Sequence, residues 1–401
     1  MPNFARSTTR AIYSGHDFAR RAMHDPIYLD HHAATPLDPR VADLLVEVQR
    51  IGFANPNSAH AAGRSARRWI ERARGEVASL VGAEPEDVRF TASASEALAL
   101  ALAYAMQDGP RPLRVVCSPI EHPALLSALD VQERAGRVAV SWLSVDGQGR
   151  VQIGDLVAAL PGADLLCLMA VNNEVGTIQE VEQAARAAAA AGVATLVDAS
   201  QAAGRMPLNA QAWGLDYLVL SSHKIYGPRG AAALVGSGLA HRTGPPEASG
   251  HAPTPNVVAI AGFGEAARLA RAEGPRDEAR IGELRDHLQR RLLEAIPGAV
   301  VNGDAGRRVA ANLHISVEGA ANDAVTAQLD PLVALSTGAA CVSGVDQPSH
   351  VLQAMGLEPW RLDGALRISL GRFTTPEEVD RAADLIIAAV RKVRTLLDKV
   401  P

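Results

Sequence analysis

The chain has 401 residues, 48% of them apolar, with 39 basic against 44 acidic side chains and a formal net charge of −5. That length and apolar share allow a large core, while interspersed charges and a slightly acidic balance exclude the basic stripe a phosphate backbone requires. No run approaches an uncharged membrane span, and three separated cysteines offer neither a disulfide framework nor a CxxC metal site, so the expectation is a soluble cytoplasmic protein without nucleic acid, membrane or metal partners.

Residues 1–26 carry Arg6, Arg10, Arg20 and Arg21 with few acids, a superficial likeness to an organelle transit peptide, yet they lack the apolar core of a secretory signal. They read as a short surface extension. Along the body, apolar β-rich runs alternate with Ala-rich stretches. Strands are predicted over 113–117, 138–143, 165–171, 194–197, 217–220 and 231–235, and helices over 95–106, 123–135 and 181–191. This order predicts an α/β domain with helices covering a mostly parallel sheet. Polar residues fall where the runs end, with Asn173, Asp198 and Ser221 each following a strand, at the edge where open α/β sheets collect ligands. Ser95 stands at a helix start, where free backbone amides favour a phosphate. After Gly262 the pattern changes to a charged helix over 277–295, strands over 309–317 and 365–370, and a last helix over 376–397, which reads as a second, smaller α+β domain. Gly262-Phe263-Gly264 lacks the third glycine and the preceding strand of a dinucleotide motif.

The run Ser221-Ser222-His223-Lys224-Ile225-Tyr226-Gly227-Pro228, preceded by Val197-Asp198-Ala199-Ser200-Gln201, collects an acid, an amide, hydroxyls, an imidazole and an amine at two strand ends. A lysine there is able to form a Schiff base with a carbonyl cofactor. An acid facing a pyridine nitrogen keeps that nitrogen protonated, so the ring accepts electrons from a substrate carbanion. Lys224 and Asp198 are the expected pair of a pyridoxal-phosphate enzyme. Gln201 is placed to hydrogen-bond the ring hydroxyl, and Ser221 and His223 to reach the phosphate.

Further segments follow in a set order: Tyr28-Leu-Asp-His-His-Ala-Ala-Thr-Pro-Leu-Asp-Pro-Arg40, Asn55-Pro-Asn-Ser-Ala-His60 with Gly63-Arg64, Phe90-Thr-Ala-Ser-Ala-Ser-Glu96, Glu121-His122 and Val171-Asn-Asn-Glu-Val-Gly176. The lysine run comes next, then Ser336-Thr-Gly-Ala-Ala-Cys341-Val-Ser-Gly344 and Leu366-Arg367-Ile-Ser-Leu-Gly-Arg-Phe-Thr-Thr375. Together they resemble the cysteine desulfurases of the NifS and IscS type, a branch of the class V aminotransferase family, from Ile27 onward. The resemblance implies a fold-type I pyridoxal-phosphate transferase with a large cofactor-binding domain over 41–262. It also implies a small domain made of 27–40 and 263–401, the chain ends joining around the large domain.

It further implies that L-cysteine displaces Lys224 from pyridoxal 5'-phosphate, its carboxylate held by Arg367 and assisted by Asn173. Lys224 then moves the α-proton, and the Cys341 thiolate takes the sulfur as a persulfide, leaving alanine. His122 resembles the imidazole that stacks on the pyridine ring, although a plain helix-start histidine fits the same residues. The cysteine context resembles the long-loop branch, which passes sulfur directly to protein acceptors, rather than the short-loop branch with its Arg-x-Gly-His-x-Cys. Cys117 and Cys167 lie in apolar strand runs and read as core residues.

The sequence departs from the family at several positions. Glu247-Ala-Ser-Gly-His-Ala-Pro-Thr254-Pro-Asn256 keeps Thr254 and Asn256, but His251 stands where the family has arginine and a proline replaces a glycine. In the family that threonine reaches the cofactor phosphate of the neighbouring subunit, so Thr254 implies a homodimer with shared sites. The phosphate loop has Ser93 for a glycine, Ser95 for a threonine and Ala97-Leu98 for Ser-Asn. Two other readings stay open on sequence: a carbon–sulfur or selenocysteine lyase on the same cofactor, and a sulfur-transfer scaffold with little turnover.

Overall fold

The computed structural model describes residues 26–237, 239, 254–337 and 348–397. Residues 1–25, His251 and Cys341 lie outside the described residues. The strands, in chain order, are β1 Ile27–Tyr28, β2 Val88–Thr91, β3 Leu113–Cys117, β4 Val138–Trp142, β5 Leu165–Cys167 and β6 Ala194–Asp198. They continue with β7 Tyr217–Ser221, β8 Ala232–Val235, β9 Ala299–Val301, β10 Asn312–Val317, β11 Val333–Ala334 and β12 Ala365–Ser369.

Seven strands form the main sheet in the order β2-β8-β7-β6-β5-β3-β4. β4, β3, β5, β6 and β7 run parallel, and β8 is antiparallel to both β7 and β2. Every residue of β5, β7 and β8 is buried, as expected where helices cover both faces and the strand reads as a continuous apolar run. β5 is shorter than the predicted 165–171. The chain nevertheless stays beside β6, because the Leu168 and Ala170 N–H groups still donate to Leu196 O (3.0 Å) and Asp198 O (2.8 Å).

The register fixes what the strand ends share. Thr91 and Ser221 both lie opposite Ala232, and Asp198 lies opposite Val219. The chain therefore leaves β2, β6 and β7 along one edge of the sheet, into the turn before Ser95, the Asp198–Gln201 turn and the Lys224 turn respectively.

A 39-residue helix, Val257–Ala295, replaces the predicted 277–295. Its first half contains Gly262, Gly264 and Gly274, which weaken a helix by propensity. Packing overrides that preference. A Cβ on Gly264 would lie 2.4 Å from the Ala73 Cα, and one on Gly274 would lie 2.3 Å from Gly204 O. The glycines thus let this helix lie directly on the Ala61–Val81 helix and on the chain after β6. Pro275 sits inside without ending it.

A three-stranded antiparallel sheet, β12-β10-β9, places Arg367 opposite His314. β10 begins at Asn312, three residues later than predicted. Ile27 and Leu29 share an apolar cluster with Leu288, Leu313, Ile368 and Ile386. Among the described residues, no helix is long and apolar enough to cross a membrane.

Candidate active site

Beyond β7, a single 3-10 turn, Ser222–Lys224, lifts Lys224 off the sheet edge. Its Nζ donates to His32 O at 2.6 Å and Ala33 O at 3.0 Å. The segment carrying those carbonyls is strapped across the turn. Thr35 donates from N and Oγ1 to His223 O (2.9 and 3.0 Å), Tyr226 N donates to Thr35 Oγ1 (2.7 Å), and Asp38 N donates to Tyr226 O (3.0 Å). Tyr226 has φ 67°, a left-handed conformation that costs a bulky side chain energy and persists here because those bonds hold both its faces. A Cβ on Gly227 would lie 2.1 Å from Ser222 Oγ and 2.9 Å from the Ala266 Cβ, so glycine lets the turn pack against both without either shifting.

Asp198, at the end of β6, is 7% exposed and accepts from Ser200 N at 2.8 Å. Gln201 donates from Nε2 to His32 O at 2.8 Å, the same carbonyl that Lys224 uses. Among the described residues its Oε1 is buried without a partner, as are Ser200 Oγ, His32 Nε2 and Asn173 Oδ1. His122 caps the Pro123–Arg134 helix, its Nδ1 accepting from Ala124 N at 3.1 Å, which leaves the ring proton on Nε2. The helix-start histidine is thus a capping residue with a backbone partner, and it lies near enough to Asp198 and Lys224 to feel both charges. Burial lowers its pKa, Asp198 pulls it back up, and Lys224 and His350 add to the lowering. Ser221 Oγ lies 3.0 Å from His223 Nδ1. Burial, with Lys224 and Arg229 nearby, takes His223 down to about 4, so it is a neutral hydrogen-bonding group at pH 7.

Ser95 is exposed in the first turn of the Ala94–Asp108 helix. Ser93 is the cap: its Oγ accepts from Glu96 N (3.1 Å), and Glu96 reaches back to Ala92 N (2.8 Å). Thr254 is exposed just before the Asn256 cap, and no hydrogen bond among the described residues ties it to the Lys224 cluster.

Asn173 and Arg367 meet on the other side. Asn172 shapes the loop, its Oδ1 accepting from Glu174 N (2.9 Å) and Val175 N (3.0 Å). Arg367 Nη1 donates to Asn173 O at 3.3 Å, and the His32 ring Nδ1 lies 3.3 Å from that same oxygen. Arg367 Nη2 donates to Asp30 Oδ1 at 2.9 Å, and its Nε is buried with no partner among the described residues. Beneath it, His314 is held neutral, down to about 3, by burial and by Arg367 and Arg361.

Asp30, His32, Glu121 and Glu174 were not singled out in the sequence. Asp30 and His32 sit inside the Tyr28–Arg40 motif, and the two glutamates directly adjoin His122 and Asn173. Glu174 is buried, pushed up to about 7, and accepts from Ser349 Oγ at 2.5 Å. Glu121 is pushed up to about 8 by burial, against the hydrogen bond from Met169 N (2.6 Å), with Asp198 adding to the rise. The folded chain therefore keeps a proton that the unfolded chain releases at its ordinary value of 4.5, so stability falls as pH rises between the two values. Glu121→Gln carries no such titration. Thermal unfolding is expected to find the variant close to wild type near about pH 5 and more stable by a few kcal/mol near about pH 9. An equal difference at both pH values would refute the protonated carboxyl.

Residues 27–382 match the Aminotransferase class-V family. The cysteine desulfurase of Frankia sp. (strain EuIK1) is 41% identical over 396 residues, 94% of each chain. The chain belongs to the class-V aminotransferase family, in its cysteine desulfurase branch. Among solved structures this class-V member resembles a NifS-like protein, with a TM-score of 0.82, 29% identity and coverage of 93% and 99% of the two chains. It also resembles SspA in complex with cysteine, with a TM-score of 0.75, 26% identity and coverage of 87% and 99%. The fold is the expected fold-type I architecture.

The family depends on pyridoxal phosphate, and the residues of this class-V member fit that group. An amine, a carboxylate, a buried unpartnered amide oxygen and a Ser–His pair stand along one sheet edge, and unsatisfied buried acceptors are costly unless a ligand fills them.

Proposed function

We propose that this chain is a cysteine desulfurase that converts L-cysteine to L-alanine and passes the sulfur to Cys341 and on to an acceptor protein. The observation that carries the reading is the convergence of Lys224 Nζ and Gln201 Nε2 on His32 O beside Asp198, with Gln201 Oε1 left buried and unpartnered among the described residues. When bound, pyridoxal 5'-phosphate supplies a ring that stabilises negative charge at the substrate α-carbon.

Lys224 would hold that group through its amine and, once displaced by the substrate, move the α-proton. Asp198 would face the ring nitrogen, Gln201 the ring hydroxyl, and His122 the ring, with its Nε2 proton available. Ser95, Ser221 and the neutral His223 would hold the phosphate by hydrogen bonds, and Thr254 would do so across a homodimer. Arg367 and Asn173 would bind the substrate carboxylate. The Cys341 thiolate would then form an S–S bond to the substrate sulfur as its C–S bond breaks, the bonding pair staying with carbon until protonation releases alanine.

Support for Cys341 comes from its alternatives. Cys117 and Cys167 are both 0% exposed and lie side by side on β3 and β5. The domain reading, 41–262 against 27–40 with 263–401, is supported by the cluster that Ile27 and Leu29 share with Ile281 and Val393. The long helix crosses that boundary. A cytoplasmic location accords with the thiol chemistry.

Equal production of alanine and sulfide from L-cysteine, with added pyridoxal phosphate and a thiol reductant, is the expected result. A loaded protein that makes neither would overturn the reading. Arg367→Ala is expected to raise KM for cysteine about 30-fold, the loss of a charge-assisted bond worth about 2 kcal/mol. An unchanged KM would remove Arg367 from carboxylate binding.

A further inference from the structure

Arg367 already meets an acid of its own chain. Its Nη2 donates to Asp30 Oδ1 at 2.9 Å, across 337 residues of sequence, with side chains 2% and 20% exposed respectively. The contact is one nitrogen to one oxygen rather than the two parallel bonds a guanidinium is able to make, and Nε stays buried with no partner among the described residues. The guanidinium has a second tether besides Asp30. Arg367 lies mid-strand in β12, its backbone exchanging bonds with Ser336 (2.7 and 3.2 Å), and Nη1 reaches Asn173 O. A carboxylate arriving at this fork finds part of it taken.

We propose that Asp30 is a specificity-determining residue, an internal competitor for the carboxylate-binding edge of Arg367, so that an amino acid binds by exchanging its carboxylate for that of Asp30. The inference rests on the reading of Arg367 as the carboxylate site. The exchange has two physical consequences. The pair keeps a buried cation compensated while no ligand is bound. It also weakens any ligand whose carboxylate must take the fork, by the fraction of molecules in which the fork is closed, whereas an amide offers only a neutral bond in place of a charge-assisted one, does not displace Asp30 and escapes that competition.

The test is calorimetric binding of L-alanine and of L-alaninamide to cofactor-loaded wild type, Asp30→Asn and Arg367→Ala, with Asp30→Ser as a second charge-removing variant should the asparagine protein not fold. Alanine is expected to bind about five- to tenfold more tightly to the Asp30 variants, with alaninamide unmoved. Alanine binding that is unchanged or weaker would show that Asp30 orients Arg367 instead, and equal tightening of both ligands would show a general loosening of the site. Either outcome overturns the proposal. Loss of alanine binding in Arg367→Ala without a gain in Asp30→Asn removes only the role of Asp30. Unchanged binding in Arg367→Ala removes the carboxylate reading and the proposal with it.

Discussion

Lys224→Ala is expected to abolish alanine and sulfide formation from L-cysteine, by at least about 10³-fold, and to remove the visible absorbance of the cofactor-loaded protein. The substitution deletes both the amine that would hold the cofactor and the group that would move the α-proton. It also deletes two hydrogen bonds, to His32 O and Ala33 O. His32 O keeps its bond from Gln201 Nε2 (2.8 Å), and the strap stays tied through Thr35, His223 and Tyr226, so the variant should fold. Lys224→Arg sharpens the test. Arginine keeps a positive charge and donors for the two carbonyls but cannot form the covalent link, so it should be as inactive as alanine. Activity or the visible band surviving in either variant would take Lys224 out of its role.

Cys341→Ser is expected to keep the visible absorbance and to lower both products at least about 10²-fold, because a hydroxyl at neutral pH is a far weaker nucleophile toward sulfur than a thiolate. The other two thiols cannot substitute. Both are fully buried in the main sheet, and burial together with its neighbour Cys167 raises the Cys117 pKa well above the ordinary thiol value. The same contrast predicts that a thiol-alkylating reagent modifies the native wild-type protein once and the Cys341→Ser variant not at all. A variant that still makes alanine at the wild-type rate would place sulfur transfer elsewhere.

The placement of the candidate site residues was readable in the sequence where local order carries it. β6 and β7 announce themselves as short apolar runs because both faces are covered, and the polar residues that end them, Asp198 and Ser221 to Lys224, then necessarily stand at the sheet edge. The long helix was half legible. Its charged second half shows helical character on its own, whereas the first half carries glycines where Ala73 and Gly204 leave no room for side chains, and packing rather than propensity keeps it helical. His122 was ambiguous between a plain helix-start histidine and a ring-facing residue, and the structure adds what neither reading named, a cap bond on Nδ1 that leaves the proton on the other nitrogen.

What the sequence determined by itself is the edge on which Asp198, Ser221 and Lys224 stand, since strand period and strand end are local properties of the chain. What only the tertiary structure decided is how those groups are held and opposed. His32 O lies 192 residues from the lysine it binds, and Asp30 lies 337 residues from Arg367. Ser349 is likewise 175 residues from the Glu174 carboxyl that it meets, and burial raises that carboxyl to about 7. Such pairings and shifts arise from closing the N-terminal segment and β12 onto the main sheet, where water is excluded and each buried polar group must find a partner from another part of the chain.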